Sequence, residues 1–114
     1  MAETFNTADI AVTSSEQLLY TAPAATNDVA IIISLRVTNI DGTADDTVTC
    51  TIYESDGTTK KAEIAHTITV PADSSLELAG TSKIVLLAGE QVKITGGAAS
   101  GDLEAYLSAL EITV

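Results

Sequence analysis

The sequence predicts an all-β chain, folded as a single antiparallel β-sandwich (jelly-roll or immunoglobulin-like) of eight or nine short strands. Three observations predict it. Short apolar runs recur at roughly 8–12 residue spacing with Gly, Pro, Asp or Ser between them, the rhythm of sandwiches and barrels. No stretch shows a capped 3.6-residue apolar period, so helix should be close to absent. The composition is 46% hydrophobic but only 4% aromatic, with no Trp. The core must then be Ile, Val, Leu and Ala, and Thr beside Ile and Val suits half-buried pleated sheet.

Residues 1–7 read as a flexible N-terminal arm and residues 8–114 as the sandwich domain. "DIAVT" (9–13) and "QLLYTA" (17–22) are short strands, and Pro23 stops the second. "VAIIISLRVTN" (29–39) is the longest strand. Period two places Ile31, Ile33, Leu35 and Val37 on one face and Ser34, Arg36 and Thr38 on the other. "IDGTADD" is an Asp-rich turn. In "TVTCTIYE" (47–54), Val48, Cys50 and Ile52 point inward, and Thr47, Thr49, Thr51 and Tyr53 form an outward ladder. Asp56-Gly57 marks a hairpin tip. The return strand puts Ile64, His66, Ile68 and Val70 on one face, and Pro71 ends it. "SSLELA" (74–79) is brief. Ile84 and Leu86, a turn at Gly89, then Val92 and Ile94 read as a further hairpin, and "GGAASG" (96–101) as a flexible loop. In the last strand Leu103, Ala105 and Leu107 are odd-numbered, whereas Leu110, Ile112 and Val114 are even. That parity switch predicts a bulge near Ser108–Ala109, or a strand changing sheets.

At 114 residues and 11.7 kDa the chain fits one domain, with a folded surface of about 5,900 Å² against about 17,000 Å² unfolded. The net charge is −11, opposed by Arg36, Lys60, Lys61, Lys83 and Lys93 alone. Such a surface repels phosphate backbones and anionic lipid, which argues against nucleic acid and membrane surfaces as partners. Solubility accounts for the acidity, as would docking on a positively charged partner. The opening "MAETFNTADI" has an acid where a signal peptide needs positive charge, and the longest apolar run, Val29 to Ile33, is too short for a span. Synthesis in a cytoplasm is expected.

Chemistry-bearing residues are few. Cys50 is the single cysteine and lies in core phase, so a buried structural thiol is expected. His66 is the single histidine, also in core phase, with no second His, Cys or carboxylate at ligand spacing. Asp41, Asp45 and Asp46 lack the ligand order of a calcium loop and read as turn formers. There is no nucleophile elbow and no phosphate-cradling Gly loop before a helix. No catalytic, cofactor-binding or metal-binding residues are assigned, and no cofactor is expected.

The order of several pieces resembles a group of small virion proteins of tailed bacteriophages. "LLYTAPAATNDVAIIISLRVTNID" carries a "YTAP" strand end, a short loop and a long "I-x-S-L-x-V-T-N" strand. "VPADSSLEL", "KIVLLAGEQVKIT" and the closing "LSALEI" follow in the same order, so the resemblance covers about Leu18 to Ile112. It implies an all-β structural component: a capsid decoration (cement) protein on the outer capsid surface, or a neck, tail or baseplate accessory protein. For the cement protein it implies the major capsid protein as partner and a homo-oligomer, trimer favoured. It implies no catalytic residues. The arm, with Phe5 as apolar anchor, would add a strand to a neighbour. Arg36 would pair across a subunit boundary, and Tyr53 and Tyr106 complete the candidate interface residues. A free-standing adhesion or carbohydrate-binding sandwich is the reading from another class, and the scarcity of aromatics opposes it. An enzyme ranks last.

Overall fold

In a computed structural model that describes residues 1–79, 82–97 and 102–114, every regular element is a strand. The strands are β1 (Ala2–Val12), β2 (Gln17–Thr21), β3 (Val29–Asn39), β4 (Asp46–Tyr53), β5 (Lys60–Val70), β6 (Ser75–Glu77), β7 (Ile84–Leu87), β8 (Gln91–Gly96) and β9 (Leu103–Thr113). They form two antiparallel sheets. One has the order β1-β9-β3-β6, with β7 also on β3; the other has the order β2-β8-β4-β5. β6 pairs with β3 at Arg36–Thr38 and β7 pairs with β3 at Val29–Ile32, so the two occupy successive stretches of one strand position. Counted that way, the two sheets have the eight-position jelly-roll order, and the chain changes sheet at every step except from β4 to β5. That decides between the two expected sandwiches.

Among the described residues only β4 and β5 are both consecutive and paired, around the expected tip at Gly57, where φ is +74°. The other expected hairpin is a corner. β7 pairs with β3 and β8 with β2 and β4, so Gly89 (φ +75°) carries the chain from one sheet to the other. Between the sheets lie Ile32, Leu35, Val37, Val48, Leu86, Val92, Ile94, Leu103 and Leu107, all fully buried. The surface of 5775 Å² matches the area expected for this mass.

Side-chain phase departs from the expectation on four strands. On β3 the inward residues are Ala30, Ile32, Leu35 and Val37, while Ile31 and Ile33 are half-buried. The register against β9 shifts between Ile32 and Ser34, so one extra residue reverses the alternation. The bulge expected on β9 is therefore on its neighbour. β9 pairs with β1 in unbroken register from Val12↔Leu103 to Ala2↔Thr113. Leu103, Ala105, Leu107 and Ala109 face the core, and Leu110 and Ile112 lie on the opposite face.

On β4, Val48, Cys50 and Ile52 are buried as expected, but so are Thr51 and Tyr53. Thr51 lies between Glu63 and Lys93 in the cross-strand row. Tyr53 donates its hydroxyl hydrogen to Glu16 (2.9 Å to either carboxylate oxygen), and Lys93 Nζ stands 4.5 Å from its ring centroid. On β5, Val70 and Ala65 are buried, whereas Ile68 and His66 are exposed. β5 is an edge strand whose register against β4 shifts three times, and Thr67 adopts φ +50°. These bulges rotate His66 out of core phase.

The division at residue 7 does not coincide with an element boundary. β1 begins at Ala2 and is paired with β9 over its whole length. Residues 98–101 of "GGAASG" lie outside the described residues; Gly96 ends β8, and Gly97 N–H donates to Thr47 O (3.0 Å) and Asp46 Oδ1 (3.1 Å).

Candidate assembly face

The outward side of the sheet containing β9 has two unlike ends, and cross-strand register builds both. At one end Phe5, Leu110, Ile31 and Val85 form a row across β1, β9, β3 and β7. The next row is Glu3, Ile112, Val29 and Leu87. Phe5 is 75% exposed, Val85 54% and Leu87 53%, and the residues between them are half-buried. Seven apolar side chains around one carboxylate form a contiguous strip on a chain of net charge −11. Scattered exposed apolar residues are ordinary; a contiguous strip marks an interaction surface.

At the other end the rows are polar. Asp9, Tyr106, Arg36 and Glu77 form one, and Ala11, Glu104, Thr38 and Ser75 the next. An open groove of about 390 Å³ lies there, lined by Asp9, Ala11, Arg36, Thr38, Glu104 and Tyr106. Glu77 is fixed at its border, accepting from Ser34 Oγ (2.7 Å) and Leu35 N–H (2.7 Å). A guanidinium beside a half-exposed phenol and two carboxylates can pair with charged and planar groups of another protein surface.

Three of the four candidate interface residues, Phe5, Arg36 and Tyr106, thus share one face. Tyr53 does not: it is buried on the other sheet, with its hydroxyl bound to Glu16. The strip's other members, Leu110 and Ile112 foremost, did have a signal in the sequence. Their even numbering marks an apolar second face, not a bulge.

The remaining chemistry-bearing groups are occupied locally. Burial pushes the Cys50 thiol up to about 12. His66 is 72% exposed at its side chain, with Nδ1 3.2 Å from Glu63 Oε1. Asp41 Oδ1 accepts from the N–H groups of Thr43 (2.8 Å) and Ala44 (3.1 Å), which hold its carboxyl below the usual range. Asp45 accepts from Ala72 N–H and Asp46 from Thr47 N–H. Bonds from Thr59 and Thr58 bring Asp56 down to about 2 at the hairpin tip. Tyr20 donates to Glu111 across the two sheets, and burial, then that bond, pushes its phenol up. Among the described residues no group of three or more His, Cys, Asp or Glu side chains is placed to hold a metal ion.

A jelly roll whose distinctive surface is a sheet face, not a cleft, defines an all-β module. No protein-family model and no curated protein sequence matches the chain. Among solved structures it is similar to a chain of the work described as "Bacillus endospore appendages form a novel family of disulfide-linked pili". The TM-score is 0.61 at 16% identity, over 99% of this chain and 88% of that one. It is also similar to a chain in the structure of infectious bursal disease virus, Gx strain. There the TM-score is 0.56 at 12% identity, over 97% of this chain and 30% of that one. At such identities the likeness is one of fold.

Proposed function

We propose that this protein is a non-enzymatic structural subunit of a self-assembled particle, specifically a bacteriophage capsid decoration protein. It would bind the outer surface of the shell as a homo-oligomer and bridge units of the major capsid protein. The observation that carries this reading is the single sheet face bearing both the apolar strip and the Arg36–Tyr106 groove. An apolar strip supplies adhesion, and a polar groove supplies register and partner choice. The fold likeness to a viral chain and to a pilus chain supports an assembly role, and the resemblance in "YTAP", "VPADSSLEL" and "LSALEI" supports the phage particle.

Cosedimentation with purified capsids tests it. Binding to expanded but not precursor shells, lost in Arg36→Glu with Tyr106→Ala, is the expected result; absence from purified heads would refute the assignment. Copy number per virion separates cement from a neck, tail or baseplate component. A pilus-like filament subunit is a second reading, favoured by the near full-length match to the endospore appendage chain. Filaments in electron micrographs of the purified chain would support it.

A further inference from the structure

We infer that β1 is the docking edge of this module and that its occupant is β1 of a second copy. The two strands would run antiparallel about a two-fold axis, with Phe5 facing Phe5 of the second copy. This deepens the self-association in the proposed function and rests on that part of it. The first support is how unlike the sheet edges are. Soluble β-proteins block exposed edges with bulges, Lys, Pro or very short strands. β6 and β7 are three and four residues long. β2 has five residues and a register shift between Leu18 and Tyr20. β5 is long but begins with Lys60 and Lys61, shifts register three times and bends at Thr67. β1 has none of these devices, and its only charged side chains are Glu3 and Asp9. It runs eleven residues in unbroken register, without Pro, Gly, Lys or Arg, and among the described residues it is hydrogen-bonded to β9 alone.

The second support is charge, which selects both occupant and register. Facing side chains must project to the same side of the joined sheet, so the two residue numbers in each pair must sum to an even number. With Phe5 on Phe5, Glu3 faces Thr7 and Asp9 faces Met1, and no carboxylate meets another. A slip by two in the sum one way sets Glu3 against Asp9 twice, and a slip by four sets Phe5 against Asp9. The opposite slip of two sets Glu3 against Phe5. The preferred register also joins the two apolar rows into one: Val85, Ile31, Leu110 and Phe5, then the same four in reverse. Two copies of net charge −11 can meet there without opposing acids. The contact is isologous, so it makes dimers and even-numbered sets, not the trimer that the resemblance implies.

Site-directed disulfide trapping of the full chain tests the register, because antiparallel partners stand about 4.5–5.5 Å apart at Cα, within disulfide reach. Cys50 is buried and does not compete. Phe5→Cys should give a linked dimer under mild oxidation. Thr7→Cys alone should not, and Glu3→Cys with Thr7→Cys should. Sedimentation of the unmodified chain should show a dimer, and Phe5→Glu should weaken it about tenfold or more by setting two carboxylates face to face. A trimer without the residue 5 crosslink would overturn the β1 contact while leaving self-association intact. A strictly monomeric chain, or Thr7→Cys crosslinking where Phe5→Cys does not, would also overturn it. Efficient Phe5→Cys dimers of a protein absent from phage heads would uphold the contact and remove the capsid assignment.

Discussion

The side-chain amide of Asn39, at the end of β3, donates a 3.0 Å hydrogen bond to the carbonyl oxygen of Val70, the last residue of β5. This bond ties one sheet to the other inside the core, since both residues are fully buried. The same amide donates to Ala44 O (3.0 Å), and its oxygen accepts from Asp41 N–H (2.9 Å). Asn39→Ala would strand buried backbone groups and should cost about 2–3 kcal/mol in urea unfolding. Asn39→Asp should cost more, because it points a second acceptor at two carbonyls.

Glu90 should give the fold an acid-sensitive tie. It is buried, with Lys61 Nζ at 2.6 Å from Oε2 and Leu87 N–H at 2.9 Å from Oε1. Burial raises its pKa, but the bonds from Lys61 and Leu87 outweigh that and hold it below the usual range. A carboxyl with a depressed folded pKa stabilises above the unfolded value, about 4.3, and loses that stabilisation as pH falls through the folded value. Stability of the native chain should therefore drop on acidification below about pH 4.3, and Glu90→Gln should flatten that slope in denaturant titrations.

Cys50 should report on opening. Its thiol, raised to about 12 by burial, should resist thiol reagents at mildly alkaline pH and react fully in denaturant. The unfolded thiol ionises near 8.5, so stability should be complete below that pH and decline as pH climbs towards the folded value. Cys50→Ala should remove its part of the alkaline decline.

Gly89 should tolerate substitution poorly. Its φ is +75°, and an added Cβ would lie 3.0 Å from the Ser55 Cβ. Its N–H also donates to Pro23 O at 3.0 Å. Gly89→Ala should destabilise by about 1–2 kcal/mol, the usual cost of left-handed backbone for an L-residue, as read by thermal unfolding.

The type and rough number of strands along the chain were legible because turn residues punctuate it regularly and no helical period competes. Their order within the sheets was not, because it rests on pairings between residues distant in sequence. Side-chain phase was legible only in part. "VAIII" is apolar at every position, so alternation could not say which isoleucines face inward, and the register shift at Ile33 depends on β9, which is distant in sequence. The odd and even apolar sets of β9 were both visible; reading the second as an outer surface needed the partners that β1 and β3 bring. His66 looked internal because Ile64 and Ile68 flank it, but edge bulges are set by pairing with β4. Turn chemistry at Asp41 and Asp56 was legible because short polar side chains bond their own loop.

The extra residue at Ile33 carries a lesson about tolerance to shortening. Without it the strand would alternate perfectly: Ala30 and Ile32, then Leu35 and Val37, would still face the interior, and each pairing with β9 would survive. An in-frame loss of that single codon should yield a chain that folds normally yet has a straighter sheet, since bulges add local twist. Curvature, not interior filling, is what the insertion supplies, so its removal should injure mating between molecules before it injures the molecule itself.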